Sequence, residues 1–464
     1  MFCSSSGMPR RTEDDGEMMT KASYLRRILL VLTLFALVGC SLFRADENET
    51  PAPPVATVRP TAIGTPPGTG APGAATPSGT PTQEGPVTLV MWTSEDYAPN
   101  SETAGGAQLL QQIQAFQQDV GVNVQVILKK RSGTGGLLDF LTTSSAAAPT
   151  ILPDLITLSY ADLNRAAQAG LLQPLDDLVT PGTLDDQFDF ALALTQMAGA
   201  TMGVLYQTDL QHLVFDAALV PTSPLSWQDL YSSTVPFVFS PAPPSEGVND
   251  AILIQYLAAG GVLTDPEGAP RLDLERLTQV LEFFQKGRQQ GVIPRSVLDL
   301  SDATTAWATF RIGEAAMAQV PASLYLAERA GLSNVSFGPI PLAIPDVLTV
   351  GQGWALAIVT QDPERQQLSA ALIEHLLAPE QSGAWTLAAG RLPSRNAALD
   401  AWGQNDPYVP FVRNLLAHAR PAPDPDLATV VGGPLAQSLI EVLSGRMTPA
   451  EAAQAAVNVV GAGP

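Results

Sequence analysis

Two stretches of the chain predict an α/β protein built around a parallel sheet. Leu152–Val179, LPDLITLSYADLNRAAQAGLLQPLDDLV, reads as a strand followed directly by a helix. Val87–Trp92 gives a strand, Leu109, Leu110, Ile113 and Phe116 recur at helical spacing, and Val122–Ile127 alternates as a second strand, a β-α-β start.

The central stretch is the most explicit. Pro153-Asp154 ends a loop, and Leu155-Ile156-Thr157-Leu158 is the continuous apolar run of a buried strand. Ala161–Ala169 forms the helix, closed by Gly170 where a left-handed cap is wanted, and Gln173–Leu178 restarts as an extended segment and a turn. Ligands of such sheets bind beyond the carboxyl ends of the strands, here beside Ser159, Tyr160, Ala161 and Asp162.

The 464 residues leave room for more than one domain, and 45% hydrophobic with 15% charged residues describes a folded protein. A formal charge of −21 argues against a nucleic-acid binder, whose footprint is a basic face. With only Cys3 and Cys40, no intrachain disulfide framework or cysteine zinc site is expected. His212, His375 and His418 lie far apart without metal-ligand spacing, and no cofactor is expected. Ser132–Gly136, SGTGG, lacks the spacing and lysine of a phosphate loop and reads as a flexible turn. A hydrolase would need a GxSxG nucleophile or a carboxylate pair in a cleft. The first is absent, and Asp185, Asp186 and Asp189 read as a solvated turn and helix cap, so no enzyme is expected.

At the N-terminus, Arg26-Arg27, the apolar run Ile28–Val38 and Gly39-Cys40 form a secretory signal too short to span a bilayer. Leu37-Val38-Gly39-Cys40 resembles a bacterial lipobox, which implies a signal peptide over 1–39 and a lipid on Cys40. The acidic residues before it place the expected start at Met18 or Met19. Residues 40–85, rich in Pro, Thr and Gly, bury too little to fold and read as an extended tether.

The stretch around "LNRAAQAGLLQPLDDL" resembles the extracellular solute-binding proteins that feed ABC importers, in the group similar to the maltose-binding protein. Further resemblances follow in order: Gly199–Asp216; Pro224–Leu230, PLSWQDL; Phe310–Met317, FRIGEAAM; Phe337–Pro341; Gly351–Ile358; Gly390–Ser394, GRLPS; and Gly445–Ala452, GRMTPAEA. Met202, Leu205, Asp216 and Ala322 depart from the family's tyrosine, proline, asparagine and tryptophan. The resemblance implies a periplasmic-binding-protein type II-like fold, two α/β lobes with a hinge and an interlobe cleft. Lobe 1 would comprise 86–207 and about 354–400, lobe 2 about 208–353 and 401–464.

It also implies a monomeric extracytoplasmic lipoprotein at the cell membrane that captures a small-molecule ligand, foremost a carbohydrate, for ABC permease subunits. Ligand candidates are Glu95, Asp96 and Tyr97 after the first strand, Tyr160 in the central stretch, Tyr206 and Asp209 at the crossing, Tyr325, and Trp354 in the return. Aromatic faces suit the C–H patches of a sugar, and carboxylates suit its hydroxyls. A ligand-sensing or adhesive lipoprotein, or a binder of polyamine or glycerol phosphate, are the alternatives.

Overall fold

Residues 86–403 and 405–463 are described by the structure, a computed structural model. The signal segment, the choice of start, the Cys40 lipid site and the tether to residue 85 lie outside the described residues.

The apolar runs become strands and the amphipathic stretches cover them. Strand β1 (Thr88–Ser94), helix α1 (Ala104–Val120) and strand β2 (Asn123–Lys129) realise the β-α-β start, with Thr103 capping α1 through its hydroxyl. Leu109, Ile113 and Phe116 are buried along one side of α1, each contributing roughly 1.5–3 kcal/mol by leaving water. After helix α2 (Leu137–Ala147) comes β3 (Leu155–Ser159), buried through Leu158, and then α3 (Tyr160–Gln168). Ser159 caps α3 by accepting from the Asp162 amide at 3.1 Å.

The long strand β4 (Val204–Asp216) leads into α4 (Trp227–Ser232), β5 (Phe237–Val238), α5 (Asp250–Ala258), α6 (Leu274–Gln289) and α7 (Ala303–Arg311). The Ser226–Asp229 capping box opens α4, and Trp227 stacks on Phe283, with ring centroids 4.5 Å apart. Next come β6 (Met317–Pro321), α8 (Ala322–Glu328), β7 (Val335–Gly338) and β8 (Thr349–Ile358). The chain closes with α9 (Pro363–Leu377), α10 (Pro379–Ala389), α11 (Tyr408–Ala417), β9 (Ala419–Pro421), α12 (Pro425–Ser444) and α13 (Pro449–Gly461).

The main sheet has nine strands in the order β2-β1-β3-β8-β4-β6-β5, with β9 beside β8 and β7 beside β4. The expectation of a parallel sheet needs correction. β1 is parallel to β2 and β3, but β8 runs antiparallel to both β3 and β4. The reason is connectivity: β8 returns from the far part of the molecule instead of following a crossover helix.

β4 divides its pairing. Val204–Leu210 pairs with β8, whereas Gln211–Asp216 pairs with β6 and β7. Helices α9 and α10 pack near α1, while α12 and α13 pack on α6. Two α/β parts thus share β4.

Two buried polar centres hold the parts. Asp154 accepts from the Val90 amide at 2.7 Å and from Arg365 Nε and Nη2 at 2.6 and 2.5 Å. The same guanidinium donates to the Thr88 carbonyl at 2.7 Å. In the other part, His212 on β4 is fully buried among Tyr325, Tyr408 and Phe411. The ring matches a neutral tautomer, with Nδ1 donating to the Leu213 carbonyl at 3.0 Å and Nε2 accepting from the Tyr408 hydroxyl at 3.2 Å.

Replacing Arg365 with Met leaves the Asp154 carboxylate buried without its cation. A loss of about 3 kcal/mol is expected in urea unfolding, and an unchanged midpoint would contradict it. Burial lowers the His212 pKa from 6.5 to about 4. The unfolded chain therefore takes up a proton that the fold refuses, so stability present above pH 6.5 is lost as the pH falls toward 4. The loss reaches roughly 3 kcal/mol. His212→Gln should flatten that part of the pH–stability profile, and an identical profile would refute the assignment.

Candidate functional site

A cavity of about 670 Å³ opens where β4 changes partners, and it lies beyond the carboxyl end of β3. Ser159, Tyr160, Ala161 and Asp162 line it, at the position the strand–helix reading indicates. Period-two alternation sends Gln207 and Asp209 of β4 to the same wall. Gln352, Gly353 and Trp354 arrive from β8, and a shift of register between Trp354 and Ala355 marks that point. Gly353 is required there: a Cβ would stand 2.3 Å from the Gln207 carbonyl oxygen.

The apolar side of the cavity is an aromatic corner. Tyr97 sits 5.3 Å from Trp354 between ring centroids, and the Arg131 guanidinium lies over Trp354 at 4.9 Å. Asp96 fixes Arg131 through an ion pair of 3.1 Å. Gln207 Nε2 donates to the Tyr97 hydroxyl at 2.9 Å, leaving Gln207 Oε1 without a protein donor among the described residues. Burial raises the Tyr97 pKa well above that of a free phenol, so the hydroxyl stays protonated.

The rest of the lining is acidic. Asp209 is set by Ser323, whose amide donates at 3.2 Å and whose hydroxyl donates at 2.5 Å. Burial pushes the Asp209 carboxyl up, and the Ser323 bonds oppose that. Tyr160 is pushed up to about 12 by burial and then by the carboxylates of Asp250, Glu246 and Asp424. Arg165 pairs with Asp162 at 3.2 Å and with Glu246 at 3.3 Å, tying α3 to the loop before α5. Asn164 adds a hydrogen bond to Asp424 at 3.2 Å.

Of the residues chosen from sequence, Tyr97, Tyr160, Asp209 and Trp354 are brought together here. Glu95 and Asp96 line an adjoining cavity of about 320 Å³, which shares Tyr97 and Arg391 with the first. Tyr206 and Tyr325 do not face either cavity. Tyr206 falls at the register shift, is fully buried and stacks on Trp385, centroids 4.1 Å apart. Tyr325 packs into the buried cluster with Tyr408 at 5.1 Å, so both belong to the core.

Sequence reasoning passed over Arg131, Ser132 and Gly133, reading that segment as a turn alone, and also missed Gln207, Glu246, Gln352 and Arg391. Arg391 had a usable signal. It follows Gly390, whose φ of +62° ends α10 in the left-handed conformation and turns the chain.

The sequence matches the bacterial extracellular solute-binding protein family over residues 111–410. No curated protein sequence matches the chain. Among solved structures, the cyclic α-maltosyl-1,6-maltose binding protein from Arthrobacter globiformis is similar with a TM-score of 0.68 and 17% identity, over 82% of this chain and 99% of that one. Maltose-bound MalE3 of T. maritima gives 0.64 and 19% over 81% and 99%. The sugar-binding protein MalE from Xanthomonas citri gives 0.66 and 17% over 81% and 98%. Such identities speak for the fold. The chain belongs to the bacterial extracellular solute-binding proteins, a family of binding proteins and not of enzymes, and carries their fold of two α/β lobes around a ligand cleft.

Proposed function

We propose that the protein captures a carbohydrate in the cleft and hands it to an ABC importer, held at the membrane by lipid on Cys40. The observation that carries this reading is the lining itself: Tyr97, Trp354 and Tyr160 are interspersed with Gln207, Gln352 and Asp209. A sugar presents apolar C–H faces and a rim of hydroxyls, and this wall offers aromatic surfaces and amide or carboxylate groups for them.

Charge supports the same class. The cleft holds Arg131 and Arg391 against Asp162, Asp209 and Glu246. Arg131 is paired with Asp96, while Asp162 and Glu246 are paired with Arg165, so little charge is left to a ligand. A polyol fits that balance better than the anionic glycerol phosphate. The lobes would be 86–207 with about 354–400, and about 208–353 with 401–464, closing as a hinge through β4 and β8. The similar proteins that bind maltose or other maltosyl sugars agree with a carbohydrate ligand.

Thermal-shift measurements with mono- and oligosaccharides, polyamines and glycerol phosphates test the class. A matching sugar at about 100 times its dissociation constant should add roughly 2.7 kcal/mol of stability. Trp354→Ala should weaken that sugar about 30-fold, corresponding to about 2 kcal/mol for an aromatic anchor. Shifts with glycerol phosphates alone would overturn the carbohydrate reading. Anchoring has its own test: Cys40→Ser should move the protein from the membrane fraction to the soluble one, and its retention would refute the lipid.

A further inference from the structure

Beside the cleft lies a smaller chamber of about 150 Å³, with Gln211, Ser240, Asn249, Asp250, Asp302 and Gln319 among its lining residues. A cavity of about that size accommodates a molecule as large as benzene. Residues 244–250 border both spaces, giving Ser245 and Glu246 to the cleft and Pro244, Val248 and Asp250 to the chamber, and Asp209 of the cleft stands two residues from Gln211 of the chamber on β4.

Most of the chamber's polar groups are already engaged. Asn249 accepts from the Ala251 and Ile252 amides and donates to the Ser240 and Ala242 carbonyls. Asp302 caps α7, and Ser240 donates to the Leu300 carbonyl. Two groups are left. Gln319 is only 5% exposed, lines the chamber, and its amide makes no hydrogen bond to the described residues. Asp250 receives one bond, from Gln211 Nε2 at 2.9 Å, and has no cationic partner among the described residues.

The chamber lining includes no lysine, arginine or histidine. The first amides of α5 are taken by Asn249, so this helix end does not offer an anion site. Burial first, and then the Asp209 carboxylate, push the Asp250 carboxyl up to about 7. A carboxylate without a counter-charge beside a second carboxylate favours a cation, and the Gln319 amide oxygen adds an acceptor for its N–H groups.

We infer that this chamber is a subsite for a cationic nitrogen, so that the ligand is an amino-substituted carbohydrate, an inference that rests on the carbohydrate reading above. Calorimetric titration of the full chain tests it with glucosamine di- and trisaccharides, their neutral glucose counterparts of the same linkage, and spermidine as an ammonium without a sugar. The amino sugars should bind at least tenfold more tightly than the neutral ones. Asp250→Asn, which keeps the shape and the Gln211 contact, should erase that difference, and Gln319→Leu should reduce it with the neutral sugars unaffected. Equal or tighter binding of the neutral sugars overturns the ammonium subsite and leaves the carbohydrate reading standing. Spermidine binding that depends on Asp250, with no sugar bound, keeps the subsite and overturns the carbohydrate. Failure of all the probes overturns both.

Discussion

The Asp154–Arg365 pair is the constraint on which the first part of the molecule depends. Asp154 is almost wholly buried, and its polar groups tie several elements together. Its amide donates to the Val90 carbonyl, its carbonyl accepts from the Val359 and Thr360 amides, and its carboxylate takes the Val90 amide and the Arg365 guanidinium. β1, β3, the end of β8 and α9 therefore meet at one residue. A buried carboxylate is tolerated only when paired and hydrogen-bonded, so these elements are fixed together. The amino end of β3 is locked, and its carboxyl end presents Ser159, Tyr160 and Asp162 to the cleft from a rigid base.

The other side of the cleft is attached differently. β4 and β8 run through both parts, and Arg165–Glu246 and Asn164–Asp424 add ties across the mouth in exposed positions. An exposed ion pair contributes about 0–1 kcal/mol, too little to hold two lobes shut. On the proposed reading, closure draws on differential contacts with a ligand held between the Tyr97–Trp354 corner and the loop at Glu246.

Much of this was legible in the sequence where local rules act. The apolar run of β3 and Gly170 with its φ of +67° both formed as periodicity and capping chemistry require. The carboxyl end of β3 pointed to the cleft because strand-end geometry is general. What escaped was set by tertiary structure. Tyr206 and Gln207 are neighbours in sequence, and only the pairing of β4 decides which faces the cleft. Tyr325 looked available after a strand, but α8 turns it into the aromatic cluster around His212. Asp250 gave no signal at all, since its isolation from any cation is a property of the folded chamber.

The most direct measurement of the central claim is a crystal structure of the chain with the tightest-binding sugar from the panel. The account predicts that the sugar lies between the Tyr97–Trp354 corner and Tyr160, with hydroxyls on Gln207 and Asp209. A sugar bound elsewhere, with that corner in contact with solvent alone, would contradict it.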